Sequence, residues 1–276
     1  MADAPSKGHA SRHRGPSLDQ AQLPVFRTLL AVQILAAGVF GLVPFFLPEL
    51  SAKATGFVGD EPLIYRLAGA ASFGYAVMAW MGVRHPAWHR MRIPLIATLT
   101  FTAAAAVGSA LSLLGGEQQF IVYFVLIVSV VFSILSLYWL VRNEGPNARD
   151  DRGIRGFRLI LLLATAAATF FGVAPLIAPK AFTLLAGFKG TDLYFWRMGG
   201  AATLGYAVAG VYELRARSRG EIRIQVIGAF VFNGLSAIGA AWYVAEGGRS
   251  PVGILVLVAA AFFSVAFAVW LMRPPR

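Results

Sequence analysis

Apolar residues in this chain come in long uninterrupted runs, not in alternation. Eight runs, near 24–47, 63–83, 93–115, 119–141, 157–178, 194–213, 222–245 and 250–272, are each about 20 residues long, the length at which a helix crosses the hydrocarbon layer of a bilayer. Helices are the only elements this pattern allows, because an open sheet in lipid leaves backbone amides unpaired. The polar breaks are short. "GGEQ" parts the third and fourth runs and "EGGRS" the seventh and eighth, so each pair forms a tight hairpin. Residues 1–22 mix Pro, Ser, His and charge without an apolar period and read as a disordered tail with no signal-peptide pattern. The predicted fold class is all-α, a polytopic membrane protein with eight transmembrane helices.

The runs repeat. Residues 26–142 align without a gap on 157–273 after a shift of 131 positions, and about one position in three is then identical, a level of self-similarity that marks duplication. "RLAGAASFGYAV" (66–77) falls on "RMGGAATLGYAV" (197–208), and Pro44 and Pro48 fall on Pro175 and Pro179. The reading is two four-helix repeats, 23–142 and 157–273, joined by a cytoplasmic linker at 143–156. An even number of spans in each makes the repeats parallel, related by a pseudo-twofold axis along the membrane normal.

Composition agrees and charge adds orientation. The chain is 58% hydrophobic and 13% charged, with mean hydropathy +0.67. Soluble domains carry about 25% charged residues, so this surface is too apolar for water. With the runs laid across a bilayer, eighteen of the 24 Lys and Arg fall on the side of both termini. The other side holds six, balanced by six acids. The basic side faces the cytoplasm, which places the chain in a cell membrane of the bacterial inner-membrane kind with both termini inside. Those arginines then serve orientation and attraction to an anionic lipid leaflet, with no call for nucleic acid. There are no cysteines, which excludes thiolate nucleophiles and cysteine-ligated metals.

The repeated twelve residues carry the candidate site. Helical spacing puts Arg66, Gly69, Ala70 and Gly74 on one face, and Arg197, Gly200, Ala201 and Gly205 on its counterpart. Ala70/Gly74 and Ala201/Gly205 form the small-xxx-small stripe that lets helices pack closely in lipid. Each arginine lies near the start of its helix, where the dipole disfavours a cation. Asp60, Thr191 or Asp192 is placed to cap these helices. Two arrangements compensate the charge: Asp60, Glu61 or Asp192 pairs with the arginines, or the arginines flank the axis and hold an anionic ligand or lipid headgroup. Tyr75 and Tyr206, deeper on the same helices, either line that cavity or hydrogen-bond between helices.

Other candidates are weaker. His85/His89 and His9/His13 have metal-pair spacing, yet no further ligand completes either pair, so no metal and no cofactor is expected. Gln33 and Asn233 are intramembrane polar residues with interhelical hydrogen bonding as their default. No Asp, Glu, Lys or His sits at mid-membrane depth in any run, which argues against proton relays, cation-coupled transport and voltage sensing. Catalytic motifs of hydrolases, kinases and zinc proteases are missing.

The pattern Gly41-x-x-Pro44, Gly56, Arg66-x-x-Gly69-Ala70, Gly74 resembles small bacterial four-helix membrane families of the DoxX-like type. Gly172, Pro175, Gly187, Arg197, Gly200, Ala201 and Gly205 repeat it. The resemblance implies a four-helix unit in each half. Some such relatives are tied to quinone-linked chemistry, for which this sequence offers no site. The leading functional expectation is binding or permeation of a small anionic or amphipathic molecule at the interface between repeats, without catalysis. The alternatives are a non-catalytic component that binds lipids or partner proteins, self-association included, and third a membrane-embedded redox or lipid enzyme.

Overall fold

In the computed structural model, residues 22–143 and 152–273 are described. Residues 1–21 of the expected tail, with His9 and His13, and residues 144–151 of the expected linker lie outside them. The described part folds as α1 (Leu23–Phe46), α2 (Pro48–Thr55), α3 (Pro62–Arg84), α4 (Trp88–Leu114), α5 (Phe120–Arg142), a 3-10 turn (Arg152–Phe157), α6 (Arg158–Ile177), α7 (Pro179–Leu185), α8 (Leu193–Arg215), α9 (Arg219–Ala245) and α10 (Pro251–Met272).

Prolines and caps set the boundaries. Leu47 leaves the helical region at φ −128°, ψ 61°, and Pro48 opens α2 as its first residue. Pro lacks the N–H that a helix interior uses, so it disfavours continuation and suits a first turn. Ala178 and Pro179 repeat the arrangement before α7. These two short helices are absent from the apolar-run reading, which resolves only spans of bilayer length. Gly56 and Gly187 close the short segments at φ +80°, a conformation that glycine alone adopts without strain. α9 starts three residues before the expected edge because Ser218 and Glu221 form a reciprocal capping box.

Among the described residues, six helices are long and apolar enough to cross a membrane: α1, α4, α5, α6, α9 and α10. The outward faces of α1, α5, α6 and α10 expose residues such as Leu35, Ile127, Phe170 and Val265. Soluble monomers rarely expose contiguous apolar patches on that scale. The protein is helical and suited to embedding in a membrane. α3 and α8, 23 residues each, are less apolar and lie in the middle of the molecule with most of their side chains buried.

Packing crosses the midpoint of the chain. α3 lies along α1 and α9 and touches its neighbour α4 little, while α8 lies along α6 and α4 and touches α9 little. Hairpins α4–α5 and α9–α10 stay paired. One bundle is therefore α1, α3, α9 and α10, the other α6, α8, α4 and α5, each drawing two long helices from either half. At one end of the molecule the loops 56–61, 115–119, 186–192 and 246–250 meet. Ser250 Oγ donates to Ala186 O at 2.6 Å there, and Gly56 abuts Gln119. At the opposite end Phe26 packs on Trp139 and Phe157 on Trp270, and the Arg219 guanidinium donates to Trp270 O at 2.6 Å.

Candidate functional site

Both repeated arginines are neutralised, though by none of the three acids expected. Arg66, 4% exposed, forms a two-pronged pair with Glu246 (Nη1 to Oε2 3.0 Å, Nη2 to Oε1 3.2 Å), and its guanidinium lies 4.2 Å over the Trp242 ring. The bond from Arg66 holds the Glu246 carboxyl below its ordinary range. Arg197 donates through Nη1 to Ser112 Oγ at 2.8 Å and Glu117 Oε2 at 3.3 Å. Each carboxylate comes from the hairpin of the other half. The two glutamates, in the α9–α10 and α4–α5 turns, do not fall on one another under the 131-position shift, so the alignment hides their shared role. Their signal was one glutamate in each of "GGEQ" and "EGGRS".

The acids beside the arginines bind backbone and ring donors instead. Asp192 accepts from Val58 N (2.9 Å), Gly59 N (2.7 Å) and Tyr65 Oη (3.0 Å). Glu61, the position aligned with Asp192, accepts from Gly190 N (2.9 Å) and Trp196 Nε1 (2.8 Å). Both carboxylates are buried. They occupy the N-cap positions of α8 and α3 yet make no cap hydrogen bond with their own helix, which corrects the expectation of simple capping. Asp60 accepts from Thr191 Oγ1 and from Lys189 Nζ at 3.1 Å, and the Thr191 bond is the main cause holding its carboxyl below the usual range.

Tyr75 and Tyr206 meet at the centre, ring centroids 4.9 Å apart. Tyr75 stacks on Phe101 and Tyr206 on Phe232, each at 4.8 Å. Tyr75 Oη donates to Ala202 O at 2.9 Å, and Tyr206 Oη donates to Ala71 O at 3.1 Å. The small residues make this approach possible. A Cβ on Gly74 would stand 2.1 Å from Tyr206 Oη, and one on Gly205 would stand 2.1 Å from Tyr75 Oη. Gly69 and Gly200 face the backbones of α1 and α6, where an added Cβ would lie 2.5 Å from Gly41 O and 2.7 Å from Gly172 O respectively. Ala70 and Ala201 are fully buried. The repeated motif thus packs against its own half through Gly69 or Gly200 and against the other half through Gly74 or Gly205.

A cavity of about 140 Å³ lies between α6, α8, α9 and α10, with Leu63, Ile64 and Leu67 of α3 completing the wall. α6 and α10 touch little along their length. The cavity runs as a slot from Glu213 and Gln225 at the end near the 216–218 turn to Trp196 and Phe188 at the other. At 1.5 Å per residue, positions 213 and 196 on α8 are roughly 25 Å apart. Tyr206 lines it; Arg66 and Arg197 do not.

Its walls mix aromatic and aliphatic side chains with a few buried polar ones. Glu213, Gln225 and Ser236 are 6%, 1% and 4% exposed, and each has a side-chain oxygen with no hydrogen-bond partner (Glu213 Oε1, Gln225 Oε1, Ser236 Oγ). Asn233 also lines the slot, but its amide donates to Ala229 O of its own helix at 2.7 Å, so the interhelical bond expected of it is not made. Gln33 does make one, to Thr98 Oγ1 at 3.1 Å.

That last bond explains where the slot is. The positions aligned with Gln33 and Thr98 are Ala164 and Ala229, both in the cavity wall. A bridge that fills space between α1 and α4 is cut back to two methyl groups between α6 and α9. Glu213, aligned with Gly82, closes the sixth apolar run next to the basic loop and so passes for a loop acid until its burial is seen. Comparison with family models, curated proteins and solved structures finds no match to this chain.

Proposed function

We propose that the protein is an eight-span membrane protein, duplicated from a four-helix unit, that binds a small amphipathic molecule in the slot between α6, α8, α9 and α10. The observation that carries the reading is the slot itself, whose long apolar walls end on buried, unpartnered polar oxygens. Ligand sites have this character, mostly apolar with a few convergent polar groups. Capture of an anion by the arginines is less well supported, since Glu246 and Glu117 already occupy them. A purely lipid-facing adaptor has no use for such a cavity.

Duplication is supported by the ungapped alignment and by helix bounds that follow it. Pro62–Arg84 and Leu193–Arg215 are 23 residues each, and Trp88–Leu114 and Arg219–Ala245 are 27 each. Orientation rests on the Lys and Arg bias. The chain's lack of cysteine makes it testable. Gln118→Cys and His85→Cys, at exposed positions in opposite loops, should react oppositely with a membrane-impermeant maleimide in intact cells. Gln118→Cys labels and His85→Cys does not; the reverse pattern overturns the orientation.

Ligand binding is tested by blocking the slot. With the protein in lipid nanodiscs, 1-dodecanol should raise the melting temperature in a concentration-dependent way, because a ligand that binds only the folded state stabilises it. Ala168→Phe places a ring in the slot wall and should abolish the rise. An equal rise in Ala168→Phe shows that the slot is not the site.

A further inference from the structure

The polar end of the slot has a definite chemical preference. Glu213 Oε1 and Gln225 Oε1 are acceptors without donors, on side chains more than nine-tenths buried. A buried acceptor left unpaired keeps its full desolvation penalty, and a ligand that brings N–H groups to this end removes it. Among the described residues lining the slot there is no Lys, Arg or His, and Glu213 is the one carboxyl. Nothing there balances a ligand carboxylate or phosphate. The rings of Phe232, Phe263 and Phe267 line the same cavity and offer π-faces that attract a cation.

The arrangement belongs to one half of the chain. The residues aligned with Glu213, Gln225 and Ser236 are Gly82, Pro94 and Ala105, none with a polar side chain. At Gly82 the space is taken by Met91 and Leu30, whose atoms lie 2.6 to 2.9 Å from where a Cβ would stand. A buried carboxyl, a buried amide and the two alanines that open room beside them all fall on the same slot. Packing needs none of these, since the first half forms the same helices without them.

We propose that the slot binds a lipophilic cation, a protonated amine on an apolar body, with its ammonium held by Glu213 and Gln225 and its apolar part running between α6 and α10 toward Trp196. This rests on the reading of the slot as a ligand site and adds the ligand's class.

The test compares three probes with one tail, dodecylamine, 1-dodecanol and dodecanoate, by the concentration dependence of thermal stabilisation in nanodiscs. Wild type should bind the amine at least about tenfold more tightly than the alcohol, as expected for a charge-assisted hydrogen bond in a buried site, and the dodecanoate most weakly. Glu213→Gln should erase the amine's advantage over the alcohol, while Ala168→Phe should weaken all three, which sets binding in the slot apart from general effects of amines on the bilayer. Gln225→Met gives a second variant with the same expected direction should Glu213→Gln not fold. If the alcohol binds and the amine binds no better, or if Glu213→Gln and Gln225→Met leave the amine's advantage over the alcohol intact, the cation assignment is wrong and the slot reading stands. If none of the probes stabilises the wild type, both fall.

Discussion

Asp192→Ala is expected to lower the unfolding free energy by roughly 3–5 kcal/mol, because three donors lose a charged acceptor and each unsatisfied buried donor costs about 1–3 kcal/mol. Three donors lose their acceptor together: Val58 N, Gly59 N and Tyr65 Oη. All three belong to the first half of the chain while Asp192 belongs to the second, so the loss loosens a tie between segments more than 120 positions apart in sequence. A backbone cost adds to it. Asp192 sits at φ 49°, the left-handed region, which Asp and Asn tolerate by local hydrogen bonding and Ala does not.

Asp192→Asn separates the two contributions. It keeps the backbone conformation and one carbonyl oxygen, but turns an NH₂ toward a donor, and should cost about 1–2 kcal/mol. Chemical denaturation of the purified protein in detergent micelles, followed by tryptophan fluorescence, gives the order: wild type, then Asn, then Ala. An Ala variant as stable as the Asn variant removes both the clamp and the strained backbone from the account.

The clamp also marks where sequence reading reached its limit. Long apolar runs report long helices well, and six of the resulting helices are apolar enough to cross a membrane. All eight runs fall on long helices, with α4 starting at Trp88, earlier than the run at 93. The helices α2 and α7 were invisible to that measure, although Pro48 and Pro179 were in view. The acids next to the arginines stand out in the sequence, but sequence spacing points only to partners nearby. In the fold, Glu61 and Asp192 reach loops of the opposite half, and the arginines are met by turns that only packing brings to them. Nothing local in a sequence reports contacts between elements that exchange partners.

The slot was less legible still. It arises from what Ala164 and Ala229 lack in comparison with Gln33 and Thr98, and a missing side chain carries no pattern. The alignment did contain that difference. What it lacked was the knowledge that positions 164 and 229 line one space.

Gly74→Ala should be among the most disruptive single-methyl additions in the protein, and Tyr206→Phe should partly reverse it. The added Cβ would meet Tyr206 Oη at 2.1 Å and Gly228 O at 2.8 Å, distances no side chain accepts without movement. Overpacking of a tight core costs about 1–3 kcal/mol, occasionally more. Here the ring cannot swing aside freely, because it is stacked on Phe232 and packed against the tilted ring of Tyr75. Tyr206→Phe alone loses the bond to Ala71 O and should cost about 1 kcal/mol. With both changes, the phenolic oxygen is gone and the methyl takes part of its place against Ala71. The double variant should therefore be more stable than Gly74→Ala, with a coupling of about 1–3 kcal/mol. Gly205→Ala with Tyr75→Phe should behave the same way, because Gly205 meets Tyr75 Oη at the same 2.1 Å. Crossing the pairs, Gly74→Ala with Tyr75→Phe, should give additive losses. Additivity in the matched pairs, or rescue in the crossed ones, would mean that the repeated glycines do not seat the opposite tyrosine, and that the two halves are held together by other contacts.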